Sequence, residues 1–344
     1  MDSQRPAGGH IAEVKVTAVE SENSAAPLTL KLNEKQSAAL VPEAVHEVEK
    51  HLSVKYNGLP AGWNVDIAIS AAPCLPKDRP STTLACALAI DSLLTGSGLD
   101  KTIAVTGDLN ADGSIRPVRG MYPKIKAARI KDCSLVIIPR KNAEVLAEYA
   151  VAYGPEALAA AHLFDVATFA EARALALTPR PEPLQRAIAA FKEIQTALFR
   201  QPDPGTWIRH PKVAERLKAI TIDAPGSFSA RTLLAMAEGR EPKTLSLRSS
   251  FEIVCSMAPF GPRIDHVTDW LRPGETPVPR KISNGAHEIL PRIRDRLDPR
   301  VRDYASATIN YLAARASPEA YKRLSAEFKS FKSKPGIADL LVPE

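Results

Sequence analysis

Two polar side chains in the first half of the chain have the residue types for covalent hydrolysis. Ser81 follows Pro80 and opens an Ala- and Leu-rich stretch. Lys124 stands 43 positions later, directly after Pro123, at the start of a second helical stretch. A serine hydroxyl is a poor nucleophile until a base takes its proton. A lysine serves as that base only when it is neutral near pH 7, which requires apolar burial or a nearby positive charge to lower its pKa by several units. Met121, Tyr122, Pro123 and Ile125 would supply such a desolvating shell around Lys124. A helix start at Ser81 would add backbone N–H groups and the positive end of a helix dipole, where an oxyanion can be stabilised. Taken singly, each residue also has a plain structural reading. A serine after proline at a helix start is an N-cap, and a lysine in a first helical turn faces solvent.

Other chemistry is poorly represented. His46 and His51 are five apart, off the i, i+4 spacing of a zinc pair on a helix, and read as surface or half-buried histidines. No G-x-S-x-G elbow accompanies the seven histidines, so a Ser-His-Asp triad finds no support. Cys74, Cys86, Cys133 and Cys255 are scattered without a CxxC pair and read as separate reduced thiols. Gly107-Asp108 and Asp112-Gly113 read as turns rather than calcium loops. Trp63, Trp207 and Trp270 are isolated, as packing residues are. The expectation is no metal and no cofactor. No GxxxxGK[ST] phosphate loop is present, so ATP hydrolysis by that route is not expected of this sequence.

The elements that must position Ser81 and Lys124 follow from periodicity. Ile11 to Val19, Leu28 to Leu32 and Trp63 to Ser70 alternate as strands, and Glu43 to Leu52 has helical spacing behind Pro42. Ser81 to Leu94 reads as a helix. Ile103 to Leu109 reads as a strand that turns at Asp112-Gly113 into Ser114 to Val118, a hairpin signal. Pro123 to Ala128 starts the helix bearing Lys124. Leu135 to Ile138, closed by Pro139, is a short apolar run typical of a buried strand. Helices over Ala143 to Tyr149 and Glu156 to Ala161, a strand over His162 to Val166, and a helix over Thr168 to Leu177 complete an α/β mixture.

The stretch from Pro76 to Lys141 adds a second kind of information. Pro76-Lys-Asp-Arg-Pro-Ser81 resembles the nucleophile motif P-K-D-G-P-S-A-G of the Lon protease proteolytic domain, the Ser-Lys dyad family. Thr95-Gly96 ends the following helix as in that family. Ala104-Val-Thr-Gly-Asp108 looks like A-M-T-G-E, and Gly113 to Gly120 looks like G-x-V-x-P-I-G-G. Lys124, Ala127-Ala128, Leu135 to Pro139 and Asn142 follow in register without a gap. The detailed resemblance covers residues 76–142, and a weaker one extends back through Leu28 to Leu32 and Gly8-Gly9. It implies an α+β fold of the ribosomal protein S5 domain 2-like kind. It also implies peptide-bond hydrolysis with Ser81 as nucleophile and Lys124 as general base. Thr106 is implied as a hydrogen-bond partner that positions the lysine, and Asp78 and Asp108 as supporting residues. Polypeptide substrates, a homo-oligomeric ring (commonly a hexamer) and a separate ATPase partner follow from the same resemblance.

This sequence departs from the family pattern around the serine. Arg79 replaces a glycine, Thr82-Thr83 replace Ala-Gly, Arg119 replaces one glycine of a pair, and Asp108 replaces glutamate. An arginine and two β-branched residues are expected to crowd the place where substrate backbone lies. The alternative is therefore a catalytically inactive Lon-like fold that serves as an interaction or oligomerisation module.

The rest of the chain divides by composition. Residues 1–10 read as a flexible tail, 11–178 as the Lon-type domain, 179–184 as a proline-rich linker, and 185–344 as an α-helical domain of unassigned role. Eighteen of the 29 prolines lie beyond Thr178. Helices are expected over Leu184 to Phe199, Pro211 to Ala219, Ser229 to Glu238, Val301 to Ala314 and Pro318 to Phe331. The net charge of +6 also sits in this half, which carries +7 from Pro181 onward. Both signs are interleaved there, as in Arg292-Ile-Arg-Asp-Arg296, which reads as a solvated face rather than a nucleic-acid surface. No run reaches the roughly 18 apolar residues of a membrane span, and Met1 to His10 lacks the apolar core of a secretory signal. A cytoplasmic protein without membrane contact is the expectation.

Overall fold

The computed structural model describes residues 11–26, 28–32, 42–70, 80–118, 120–257, 289–314 and 317–337. The architecture is α+β. The chain forms two compact units. One comprises Gly8–Glu144 and Leu158–Glu238, the other Val145–Ala157 and Gly239–Glu344.

The first unit begins with a mixed sheet. Strands β1 (Glu13–Glu20) and β2 (Thr29–Leu32) flank β3 (Trp63–Ser70), β1 antiparallel and β2 parallel to it. Val65, Ile67 and Ile69 are buried on one face of β3, as their alternation requires. Helix α1 (Pro42–Lys55) turns Ala44, Val45, Val48 and Leu52 inward and packs on α2 (Thr83–Thr95), which is buried along most of its length. A short strand β4 (Gly98–Leu99) follows.

A second sheet is wholly parallel, in the order β5 (Ile103–Val105), β8 (Leu135–Pro139), β9 (His162–Val166). Every residue of β8 and β9 is buried, which matches the continuous apolar run of β8, whereas β9 also buries His162 and Asp165. The expected strand from Ile103 to Leu109 is broken at Thr106-Gly107. Thr106 N–H donates to Ile137 O at 3.0 Å, the last bond to β8. Gly107 N–H then leaves the ladder and donates to Ser81 O at 3.0 Å. Beyond the break, β6 (Asp108–Leu109) and β7 (Ile115–Arg116) form the expected antiparallel hairpin. Helix α3 (Met121–Ile130) connects it to β8. Helices α4 (Ala143–Tyr153) and α5 (Pro155–Ala159), most of whose residues belong to the second unit, precede β9 in the chain, and α6 (Phe169–Ala176) ends in β10 (Leu177–Thr178), which pairs with β4.

The compact units are not cut at the proline-rich 179–184. Helices α7 (Glu182–Leu198), α8 (Pro204–Ile208), α9 (Pro211–Asp223) and α10 (Phe228–Ala237) all lie in the first unit. The reason is the buried strand β9. His162 stacks on Phe191 of α7 at 3.9 Å between ring centroids and bonds Ser227 Oγ at 2.7 Å. Ser229 Oγ accepts from Leu163 N–H at 3.0 Å, and Asp165 N–H donates to Gly226 O at 3.0 Å. Strand β9 is thus closed by residues well beyond the linker.

In the second unit, α11 (Leu247–Met257), α12 (Pro299–Ala313) and α13 (Pro318–Lys332) gather Phe251, Tyr304, Phe328 and Phe331 into one aromatic cluster. Asp298 and Ser317 cap α12 and α13. All described elements from Glu182 onward are helical, as the sequence indicates; α8 and α11 are additions to the expected set. No helix among the described residues is long and apolar enough to cross a membrane.

Candidate active site

Ser81 lies in a 3₁₀ turn, Pro80–Thr82, immediately before α2. The N-cap position of α2 falls on Thr82, so the N-cap reading of Ser81 does not describe this helix. Ser81 itself is half-buried. Its turn is held from below by the β5–β6 junction. Ser81 O accepts from Gly107 N–H at 3.0 Å and from Thr106 Oγ1 at 3.3 Å. Leu84 N–H returns a bond to Gly107 O at 3.3 Å. A Cβ at Gly107 would sit 2.9 Å from Leu84 Cδ2 and 3.0 Å from Ile115 Cγ2, so any larger residue here would have to displace those two side chains.

Thr83 corrects one expectation. Its side chain does not crowd a substrate path, because it is 1% exposed and turned into the protein. Thr83 Oγ1 accepts from Leu109 N–H at 2.7 Å and donates to Gly107 O at 3.3 Å. The threonine therefore fastens α2 to the hairpin, work that an alanine or glycine at this position would leave undone. Asp78 and Arg79 lie outside the described residues, as does Arg119.

Lys124 sits in the first turn of α3 and is half-buried. Met121, Ile125 and Ala128 form the buried face of the same helix. Burial raises the pKa of its neighbour Tyr122. The segment entering α3 is fixed by Asn142, whose Oδ1 accepts from Val118 N–H and whose Nδ2 donates to Val118 O, each at 2.9 Å. Gly120 follows in the left-handed region at φ 63°, and Lys124 N–H donates to Gly120 O at 3.2 Å.

Asp108 is bonded to Arg116 Nε at 2.7 Å across the hairpin, a cross-strand ion pair that raises the arginine's pKa. The tip of that hairpin is gripped by α1. Glu47 Oε2 accepts from Ala111 N–H at 3.1 Å, which lowers the Glu47 pKa, and His51 Nδ1 lies 3.3 Å from Ala111 O. His51 is buried rather than superficial, and burial lowers its pKa.

The structure thus joins Thr106 to Ser81 directly, and Asp108 to Arg116. Three positions gained roles that spacing alone did not reveal: Asn142 as an anchor, His51 as a clamp, and Asp91. The Asp91 side chain, on α2, is fully buried and receives Lys55 Nζ, Tyr56 OH at 2.5 Å and Arg173 Nε at 2.6 Å. Burial would raise its pKa, but these bonds outweigh that and lower it. No group of His, Cys, Asp and Glu suited to a metal occurs among the described residues.

The turn bearing Ser81 and the helix bearing Lys124 lie in a region that comparison with known proteins matches to one class. Residues 4–160 match the model of the Lon protease (S16) C-terminal proteolytic domain. The particular relatives bear the same name. Lon protease 2 of Bacillus subtilis (strain 168) is 30% identical over 133 residues, 39% of this chain and 23% of that protein. The Lon protease of Rhizobium meliloti (strain 1021) is 32% identical over 136 residues, 39% of this chain and 16% of its own. That of Dictyoglomus thermophilum is 35% identical over 145 residues, 41% and 18% respectively. The chain therefore spans about a fifth of the length of each of these relatives. The family match ends at residue 160, before β9 and the helices that cover it.

Proposed function

We propose that this protein is a serine endopeptidase in which Ser81 is the nucleophile and Lys124 the general base. Neutral Lys124 takes the Ser81 hydroxyl proton as Oγ attacks the scissile carbonyl, and returns a proton to the leaving amine. The resulting acyl-enzyme is hydrolysed by water, with Lys124 again accepting the proton. The observation that carries this reading is the inward fixing of Thr83 and the Ser81 carbonyl on the β5–β6 junction. It leaves the serine on a rigid turn at a helix start and removes one of the objections raised by its neighbours. In this reading residues 11–178 have the ribosomal protein S5 domain 2-like fold of the family, and Asp78 and Asp108 support the site. The helical residues 185–344 recruit substrate or mediate assembly. The substrates are polypeptides, the assembly is a homo-oligomeric ring, and unfolding of substrates falls to a separate ATPase.

The test is cleavage of casein or a fluorogenic peptide by the whole chain and by Ser81→Ala and Lys124→Ala. Both substitutions are expected to reduce the rate by about a thousandfold or more, while circular dichroism and melting temperature stay near those of the parent protein. Equal cleavage by Ser81→Ala would overturn the proposal. A parent protein that is folded but inert toward peptides and toward serine-directed reagents would favour the inactive interaction module instead.

A further inference from the structure

The hydrogen bonds of Asn142 point beyond a packing role. This residue is 4% exposed and ends the 3₁₀ turn Arg140–Asn142 that follows β8. Its amide meets both polar groups of a single residue, accepting from Val118 N–H and donating to Val118 O, each at 2.9 Å. Val118 is 8% exposed, so water has little access to satisfy these groups in its place. Two bonds to one residue fix both the place and the orientation of the backbone there. An amide presents its donor and its acceptor on two separate atoms, so it can meet both groups of one residue at once. Six residues on from Val118 is Lys124, reached through the left-handed Gly120 and the first turn of α3.

The anchor for Ser81 is the neighbouring strand. β5 and β8 are paired with Val105 opposite Ile137, and Thr106 N–H donates to Ile137 O at 3.0 Å. Beyond that bond, Thr106 and Gly107 hold Ser81 O. The carboxyl ends of two adjacent parallel strands therefore fix the two candidate catalytic segments, β5 holding the serine turn and β8, through Asn142, the entry to the lysine helix. We infer that Asn142 is the positioning residue for Lys124. The inference rests on the reading of Lys124 as the base. A general base must lie within about 2.6–3.2 Å of the proton it removes, and a misplacement of about 1 Å can cost on the order of a hundredfold in rate.

The test follows labelling of Ser81 by a fluorophosphonate probe, read by intact mass from about pH 6 to 10, in the full chain and in Asn142→Asp and Asn142→Ala. Asn142→Asp retains the acceptor for Val118 N–H but, when ionised, has no donor for Val118 O. Asn142→Ala loses both bonds. Labelling is expected to slow by about tenfold in the first and about a hundredfold in the second, and the pH at which the rate rises is expected to move. A residue that only stabilises the fold would reduce the folded fraction without moving that pH profile. Should Asn142→Ala fail to fold, Asn142→Asp carries the test. A folded Asn142→Asp with the parent rate and profile would overturn the inference. A parent protein without Ser81 labelling would instead overturn the Ser-Lys reading, and this inference with it.

Discussion

The hydroxyl of Thr106 donates to the backbone carbonyl of Ser81 at 3.3 Å, so the threonine acts on the serine turn from the end of β5. The family resemblance alone would have Thr106 position the lysine; the bond observed here is to the serine's own backbone. Thr106 is 7% exposed, and solvent does not readily replace that bond.

Thr106→Val keeps the shape and removes the hydroxyl. Losing one such bond costs about 1 kcal/mol, a shift of a few degrees in melting temperature. On the proposed function, peptide cleavage should fall more steeply, by about tenfold, because the turn carrying Ser81 loosens. Thr106→Ser should restore most of the rate. Steady-state cleavage by the two variants decides it, and a folded Thr106→Val with parental kcat and KM would rule the role out.

Asp91 is part of α2, with its side chain wholly inaccessible, and binds Lys55 of α1, the adjacent Tyr56 and Arg173 of α6. One carboxylate therefore ties together three separated parts of the chain. Asp91→Ala leaves two cations and a phenol facing a void. Breaking a buried pair from one side costs about 3–5 kcal/mol, so urea unfolding should show a loss of that order, with Asp91→Asn intermediate. A loss below about 1 kcal/mol in Asp91→Ala would show that the cluster does not hold these elements together.

His162 predicts acid sensitivity of the unit that contains β9. Burial pushes its pKa down to about 3, against an ordinary value of 6.5. Its Nε2 bonds Ser227 Oγ, and its Nδ1 has no hydrogen-bond partner among the described residues. The folded state therefore holds the neutral ring, while the unfolded chain binds a proton below about pH 6.5. The stabilisation is present in full above pH 6.5. It is lost as pH falls from there toward 3, at up to about 1.4 kcal/mol per pH unit. Denaturant unfolding at pH 7.5, 6 and 5 should show this slope in the parent protein and a shallower one in His162→Phe. Parallel slopes in the two proteins would dismiss His162 as the source.

Much of the fold around the site is legible in the residues. β3 and β8 fall where alternation and the short apolar run put them, and the lysine helix starts two residues ahead of Pro123. The misplacements have physical causes. The strand expected over Ile103 to Leu109 is interrupted because Gly107 turns its N–H to Ser81, a tertiary contact without a periodic signature. Thr83 looks like an obstacle when set beside the family glycine, yet its hydroxyl is consumed by Leu109 and Gly107. His51, judged by spacing to be no more than half-buried, lies under the hairpin because α1 packs there.

Sequence by itself determined the identity and order of the candidate groups. Ser81, Thr106, Lys124 and Asn142 could be singled out because the motifs that carry them are local runs of residues resembling those of one family. Only the tertiary structure decided what holds them. The anchors of Ser81 and of the Lys124 helix are backbone carbonyls and amides met across 24 or 25 positions of chain. Every residue has such groups, so no residue type announces which of them will be met. The pairing of β5 with β8 brings those two anchors to neighbouring strand ends. That pairing is set by the burial of one parallel sheet, a property of the folded chain rather than of any segment within it.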